Sequence, residues 1–369
     1  MNEMKRYLKK KEVGCSEYTK NYHCNAIDGL RAISCLGIIL MHIQANTEYY
    51  LTGSFIFDKF IPSLTTLVYL FLMISGFGMC SGYLHKFLSG DIDIDAFYTK
   101  RYQKILPFFC VLLFIALIIE HDLSTVYEVS IEVLLLHGLL PNNAVSVIGV
   151  CWTLGVIFLF YLLFPAFSVL MKSKKRAWVS LAISLWVVFV CDNYFFSDYF
   201  VTESFSSRHN FLYCLPLFIA GGLIYLYRYE IMRSYKKNGI LLLFICIIVT
   251  SLWWLKPTGM RMISYIWSLL MFALWLSYAV GSNCKFLSSK PFRFLSNISM
   301  EMYLAQMIVF RIVEKLQLLY LFGRTGIGGW ISFVFVFALT VSGLIIFIKV
   351  YRCMVKLWKQ WKGVEYEKK

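Results

Sequence analysis

Charge is what this 369-residue chain has least of: Asp, Glu, Lys and Arg make up 15% of it, against about 25% in an ordinary soluble domain. So little charge cannot clothe a water-facing surface, which excludes a conventional soluble enzyme, a disordered chain and a solvated coiled coil. Proline is scarce as well, at 7 residues, and the 22 glycines follow no Gly-X-Y period, so a collagen-like fibre is excluded. The 11 cysteines form no C-x-x-C pair and sit mostly inside apolar runs (Cys35, Cys80, Cys110, Cys191, Cys246), where they read as small hydrophobes rather than disulfides or metal ligands. There is no H-E-x-x-H and no phosphate-loop pattern, so neither a metal nor nucleotide hydrolysis is expected. The first 26 residues are polar and basic, without the short apolar core of a cleavable signal peptide.

What is present is apolar. The chain is 59% hydrophobic, with 32 Phe, 24 Tyr and 10 Trp, and its mean hydropathy is +0.66. Ten stretches approach the roughly 20 residues that span a bilayer, near 28–46, 62–84, 105–120, 152–171, 177–192, 209–227, 239–255, 262–281, 294–313 and 328–348. The expected fold is all-α and polytopic, with about ten transmembrane helices. A net charge of +15 would point to nucleic acid in a soluble chain, but here 28 of the 36 Lys and Arg fall in alternate loops and the two ends, and only 6 in the opposite loops. That asymmetry expects both termini in the cytoplasm and no nucleic-acid partner. The organisation follows: a basic segment over 1–26, a transmembrane unit over 27–348 and a basic tail over 349–369. A shorter apolar stretch, Ile131–Leu140, ends in Pro141-Asn142-Asn143 and is too short to span; it lies at the outer surface or dips back in.

The first span carries the strongest local signal. Residues 27–43 read IDGLRAISCLGIILMHI. Arg31 and His42 are 11 residues apart, which is about 20° beyond three full turns, so both side chains point the same way, about 16 Å apart along the axis. Asp28 precedes Arg31 by three residues and can pair with it. Ionisable residues inside a span cost about 2.5–3.5 kcal/mol on insertion scales and suggest function. The plainer alternatives are an Arg31 that snorkels to the interface and a His42 that bonds a neighbouring helix.

With the string D-G-L-R followed by His, ten residues standing between Arg and His, this helix resembles the opening of the acyltransferase 3 family, membrane-bound bacterial O-acyltransferases that act on surface polysaccharides. Four further strings agree in order: ISGFGMCSGY (74–83) resembles the family's S-G-F stretch, KRYQKILP (100–107) its R-x-x-R-I-x-P segment, WTLGVIFLFYLLFP (152–165) its W-x-L helix, and FLSNISMEMYLAQ (294–306) its late I-S-Y-x-I-Y-L-x-H segment. The chain departs from the pattern at Ile157, where many members carry Glu, at Gln306, where many carry His, and at Lys104, which replaces the second Arg. No counterpart of the soluble hydrolase-like domain of some relatives is expected after the tenth span.

The resemblance implies an acyl-CoA donor, most often acetyl-CoA, and a glycan or lipid-linked glycan acceptor at a bacterial cytoplasmic membrane. Such chemistry needs a base for the acceptor hydroxyl, and His42, with an ordinary pKa near 6.5, fits that role; Asp28, beside Arg31, joins it in the expected catalytic set. The donor's phosphates need cations, and Arg31, Arg101 and Lys104 supply them, although basic residues also flank cytoplasmic helix ends for topology alone. Trp152, Glu301, Tyr303, Gln306 and Arg208 are further candidates for the substrate site, with interface anchoring or packing as the plainer reading of several. Ser75 and Gly76 read as close-packing positions.

Two rivals share the apolar architecture. A transporter of polysaccharide or lipid-linked sugar would show inverted repeats with helices broken at matching places, and the sequence has neither. A non-catalytic subunit of an export complex would tolerate loss of His42. The topology is directly testable: on a cysteine-depleted background, Ser204→Cys should label from outside intact cells, and cysteines placed in Lys172–Arg176 only after lysis.

Overall fold

The computed structural model describes residues 24–361 apart from 121, 136, 140–146, 198, 202–204, 256–260 and 283. The basic segment before residue 24, Pro141-Asn142-Asn143 and Ser204 therefore lie outside the described residues. The described chain is helical, and no strand occurs in it beyond one isolated bridge, Tyr50 to Thr325.

The helices are α1 (Asn25–Ala45), α2 (Ile56–Ser89), α3 (Ile94–Glu120), α4 (Leu123–Val133), α5 (Trp152–Leu162), α6 (Phe164–Leu170), α7 (Lys174–Val190), α8 (Phe211–Leu226), α9 (Arg228–Leu255), α10 (Arg261–Ser282), α11 (Lys290–Lys315) and α12 (Gly326–Trp361). All ten expected stretches are helical. Among the described residues, seven helices are long and apolar enough to cross a membrane, and eight if α5 and α6, bent by 67° at Leu163, count as one. Two expected spans fall outside that set. α8 has only 16 residues, and α11 carries Lys290, Arg293, Glu301, Arg311, Glu314 and Lys315 along its length, outside its buried face. The apolar stretch after residue 130 does not span: it forms the end of α4 and a short 3₁₀ turn, His137–Leu139.

Contacts sort the helix ends into two sets. At the basic end, Arg31 meets Asp28, which accepts a hydrogen bond from Ser296; Lys174 meets Glu230; and Arg352 reaches Asn297 and Glu301. At the opposite end, Glu48 pairs with Arg324, Arg208 donates to Thr65, and Trp254 packs on Phe60.

Lipid offers no partner to a backbone polar group and no hydrophobic drive between helices, so close packing and internal hydrogen bonds hold the bundle. Polar side chains within spans bond back to their own helix, as Ser34 does to the Leu30 carbonyl at 2.8 Å and Ser75 to Phe71 at 2.9 Å. The closest crossing is between α2 and α8. A Cβ on Gly76 would lie 2.3 Å from the Phe218 carbonyl oxygen, and one on Gly221 would lie 2.0 Å from that of Met73. The two glycines let the backbones touch, and Phe160 of α5 stacks on Phe218 beside the crossing, ring centroids 4.0 Å apart. α9, in contrast, presents Ile240, Leu241, Phe244, Ile247 and Ile248 outward and reads as lipid-facing. Gly221→Val should lower the thermal midpoint of the detergent-purified protein sharply, since forcing an extra side chain into a packed site costs about 1–3 kcal/mol; Gly78→Ala, where no atom lies within 4 Å of a built Cβ, should leave it unchanged.

Candidate functional site

A cavity of about 280 Å³ opens between α1, α2, α3, α5 and α11. Five sequence candidates line it: Arg31, Arg101, Lys104, Glu301 and Tyr303. The first three concentrate positive charge at the basic end. Arg31 stands nearly two turns into α1, steadied by Asp28 at 3.7 Å, and Asp28 is itself held by Ser296 Oγ at 3.0 Å. Arg101 lies over the rings of Tyr83, Tyr161 and Phe97, its Cζ 4.5, 5.1 and 5.5 Å from their centroids. Aromatic faces attract a guanidinium while leaving its N–H groups free to donate, and the buried Nε of Arg101 makes no hydrogen bond with any described residue. Lys104, one turn further along α3, is exposed at the mouth. Glu301 is the single acid in the cavity lining among the described residues.

Beyond the cations the cavity lining is mostly apolar. Along α5 the lining runs from Tyr161 at the basic end to Thr153, and along α11 from Ser296 to Leu304; eight residues of helix are about 12 Å. At its far end the Tyr303 hydroxyl sits beside that of Thr153. Charge at one end and an uncharged, mostly apolar slot at the other suit a ligand with an anionic head and an extended, largely neutral arm. Ile157, where the family often carries Glu, lines the slot, so that acid is missing from the cavity wall of this chain.

The remaining candidates lie elsewhere. His42 is half-buried near the far end of α1 and is not part of the lining. It stands about 16 Å along the helix from Arg31, roughly one turn beyond the depth the cavity reaches, and the charge of Arg208 reaches it. Arg208 donates to Thr65 Oγ1 at 3.0 Å and lies over Trp152, whose ring stacks on His209 with centroids 4.4 Å apart. Trp152 and Arg208 thus belong to a cap over the far end. Gln306 is buried one turn beyond Tyr303, donating to its carbonyl oxygen at 3.0 Å. Sequence reasoning missed Arg352, counted there only as a tail cation; it meets Glu301 at 2.5 Å. Its only signal is a helix that runs past the membrane length, and nothing in the spacing says which neighbour it faces.

The cap holds further titratable groups. Glu132 is fully buried; no hydrogen bond of ordinary geometry reaches its carboxylate, though Cys151 and the Ile148 amide lie close. Burial pushes it up to about 7. His137 points Nε2 at the Cys151 carbonyl, 3.3 Å away, and burial holds it below the usual histidine range. His209 is pushed down to about 3 by burial, then by the charge of Arg208.

The chain belongs to the acyltransferase family: the family model described as an acyltransferase domain matches residues 25–349. Among curated proteins it is similar to provisionally named O-acetyltransferases of Staphylococcus aureus, for example those of strains COL, MSSA476 and MRSA252, each 28% identical over 184 residues. The match covers 45% of this chain and 28% of each relative, so it spans little more than a quarter of their length. No solved structure matches the chain.

Glu132 yields a pH prediction. Its folded pKa, near 7, exceeds the unfolded value near 4.3, so the fold favours the neutral acid. The group costs nothing below about pH 4 and progressively destabilises the fold as pH rises through 7. Glu132→Gln should therefore raise the thermal midpoint at pH 8, and the gain should disappear by about pH 4.5.

Proposed function

We propose that this chain is a multi-pass membrane O-acyltransferase that takes an acyl group, most simply acetyl, from acyl-CoA and delivers it to a glycan hydroxyl. One observation carries the reading: Arg31, Arg101 and Lys104, from two helices, converge on one cavity whose only acid among the described residues is Glu301. Coenzyme A presents several phosphates on a long, mostly neutral pantetheine arm. The phosphates would bind the three cations, Arg31 and Arg101 as bidentate forks and Lys104 as a point charge. The arm would extend along the slot past Tyr161 and Ile157 and bring the thioester towards Tyr303, Thr153 and His42.

The transfer itself is an acyl exchange. The acceptor hydroxyl oxygen attacks the thioester carbonyl carbon, a new C–O bond forms, the C–S bond breaks and CoA leaves as its thiolate, which takes up the proton that the base removed from the hydroxyl. His42, with a neutral imidazole, accepts the hydroxyl proton, a contribution typically worth 10²–10⁴-fold. The glycan would approach from the cap end, where Trp152 and Arg208 stand near His42. The cytoplasmic side of the basic end and a bacterial cytoplasmic membrane follow from the cation asymmetry and the family, and belong to this reading.

Titration of detergent-purified protein with acetyl-CoA tests the donor half. Arg31→Ala and Arg101→Ala should each weaken binding by one to two decades, from a loss of about 1.5–3 kcal/mol per charged contact, and Arg101→Lys by less. Affinity unchanged in both alanine variants would remove the donor site. The catalytic half is tested in cells at matched expression: His42→Ala and His42→Gln should both lose glycan O-acylation. Full acylation by His42→Gln, which keeps a hydrogen-bonding side chain, would return His42 to packing.

A further inference from the structure

Glu301 does not face the cavity cations alone. Its Oε1 is 2.5 Å from Nη2 of Arg352, and that same nitrogen donates to the Asn297 carbonyl oxygen at 3.1 Å. Arg352 comes from α12, which contributes no residue to the cavity lining; it reaches the site through its contacts with Glu301 and Asn297, two residues that do line it. Its side chain is 47% exposed and that of Glu301 19% exposed, so the pair sits at the mouth rather than in the core. The charges of Arg31, Arg101, Arg352 and Glu301 all act on Lys104. The mouth therefore gathers four cations from three helices. Of the acids near it, Asp28 is engaged by Arg31 and Ser296, which leaves Glu301 to offset the others.

We infer that Arg352 is a fourth binding residue for the anionic head of the donor, and that Glu301 is an internal anion holding Arg352 in the donor's place until phosphate displaces it. The inference rests on the donor reading above. Three physical points support it. A partly exposed ion pair contributes little to stability and is screened by salt, so it exchanges readily. A phosphate presents more charge and more acceptor oxygens than a carboxylate, and a guanidinium fork matches it in two hydrogen bonds. A released Glu301 is not stranded, because Lys104 lies within its field. The exchange also gives a basis for selection. A thioester lacking phosphates cannot displace Glu301, so the device favours nucleotide-borne donors over short neutral thioesters. It brings α12 into contact with the donor as well.

A plain clamp between α11 and α12 forecasts the opposite sign for the decisive variant. Glu301→Gln keeps the shape and removes the competing anion. If Glu301 is displaced on binding, this variant should bind CoA about three- to tenfold tighter than wild type, and should bind better still relative to wild type at low salt. Arg352→Ala should weaken CoA binding about tenfold and leave binding of a neutral N-acetylcysteamine thioester unaltered. In the double variant the gain from Glu301→Gln should vanish. A clamp would instead make Glu301→Gln and Arg352→Ala lower the thermal midpoint alike, with CoA affinity equal to or weaker than wild type, and that result overturns the inference. If Glu301→Gln fails to fold, Arg352→Lys decides: CoA affinity between those of wild type and Arg352→Ala supports a phosphate contact, and wild-type affinity refutes it. A wild-type protein without measurable CoA affinity removes the donor reading itself, whereas wild-type binding with no gain in Glu301→Gln removes only the exchange.

Discussion

Everything at the basic end depends on holding like charges together inside an apolar bundle. Two guanidiniums and an ammonium repel one another, and low-dielectric surroundings strengthen that repulsion. The fold answers each cation differently. Arg31 has Asp28, fixed in turn by Ser296. Arg101 has three aromatic faces instead of an acid. Lys104 is exposed at the mouth, within the field of Glu301. Only the first of these is a full ion pair, so the end retains an excess of positive potential. That excess is what a polyanion would neutralise, and it explains why aromatic rings, which attract a cation without cancelling it, surround Arg101.

The helices and the basic cluster were readable in the sequence because both rest on local or statistical regularities. Apolar length reports a span, and the basic spacing of Arg101 and Lys104 puts them one turn apart on one helix face. The family strings then tied α1 to α3. What could not be read is lateral packing. Arg31 and His42 share a direction on α1 by arithmetic, yet only Arg31 lines the cavity, because a shared direction says nothing of which neighbours stand at each level. Glu301 and Arg352 lie 51 residues apart, and no periodicity links them. The count of spans was blurred for a related reason: α8 is short and α11 is polar, and each is buried by neighbours that a hydropathy window does not see.

The two ends are built by different chemistry. The basic end uses charge and stays open. The far end uses ring stacking and burial: Trp152 on His209, Arg208 over Trp152, and Glu132 held without an ordinary hydrogen bond. Gly155 belongs to that design, since a Cβ there would meet the His137 ring at 2.6 Å. The cap therefore docks on α5 only because one residue of that helix has no side chain.

The break between α5 and α6 is commonly the mark of a hinge. Here it is pinned. The turn at Leu163 frees carbonyl groups from the helical ladder, and the Leu162 oxygen accepts the Tyr98 hydroxyl of α3 at 2.9 Å. Tyr98 lies one turn before Arg101, and Leu162 follows Tyr161, one of the rings under that guanidinium. The bond thus fastens the helix carrying the charge to the helix carrying the ring within a residue or two of their contact. α3 and α5 must shift as one body at this level, so any widening of the cavity to admit a bulky head group falls to the opposite wall, α11 and the end of α12 behind it.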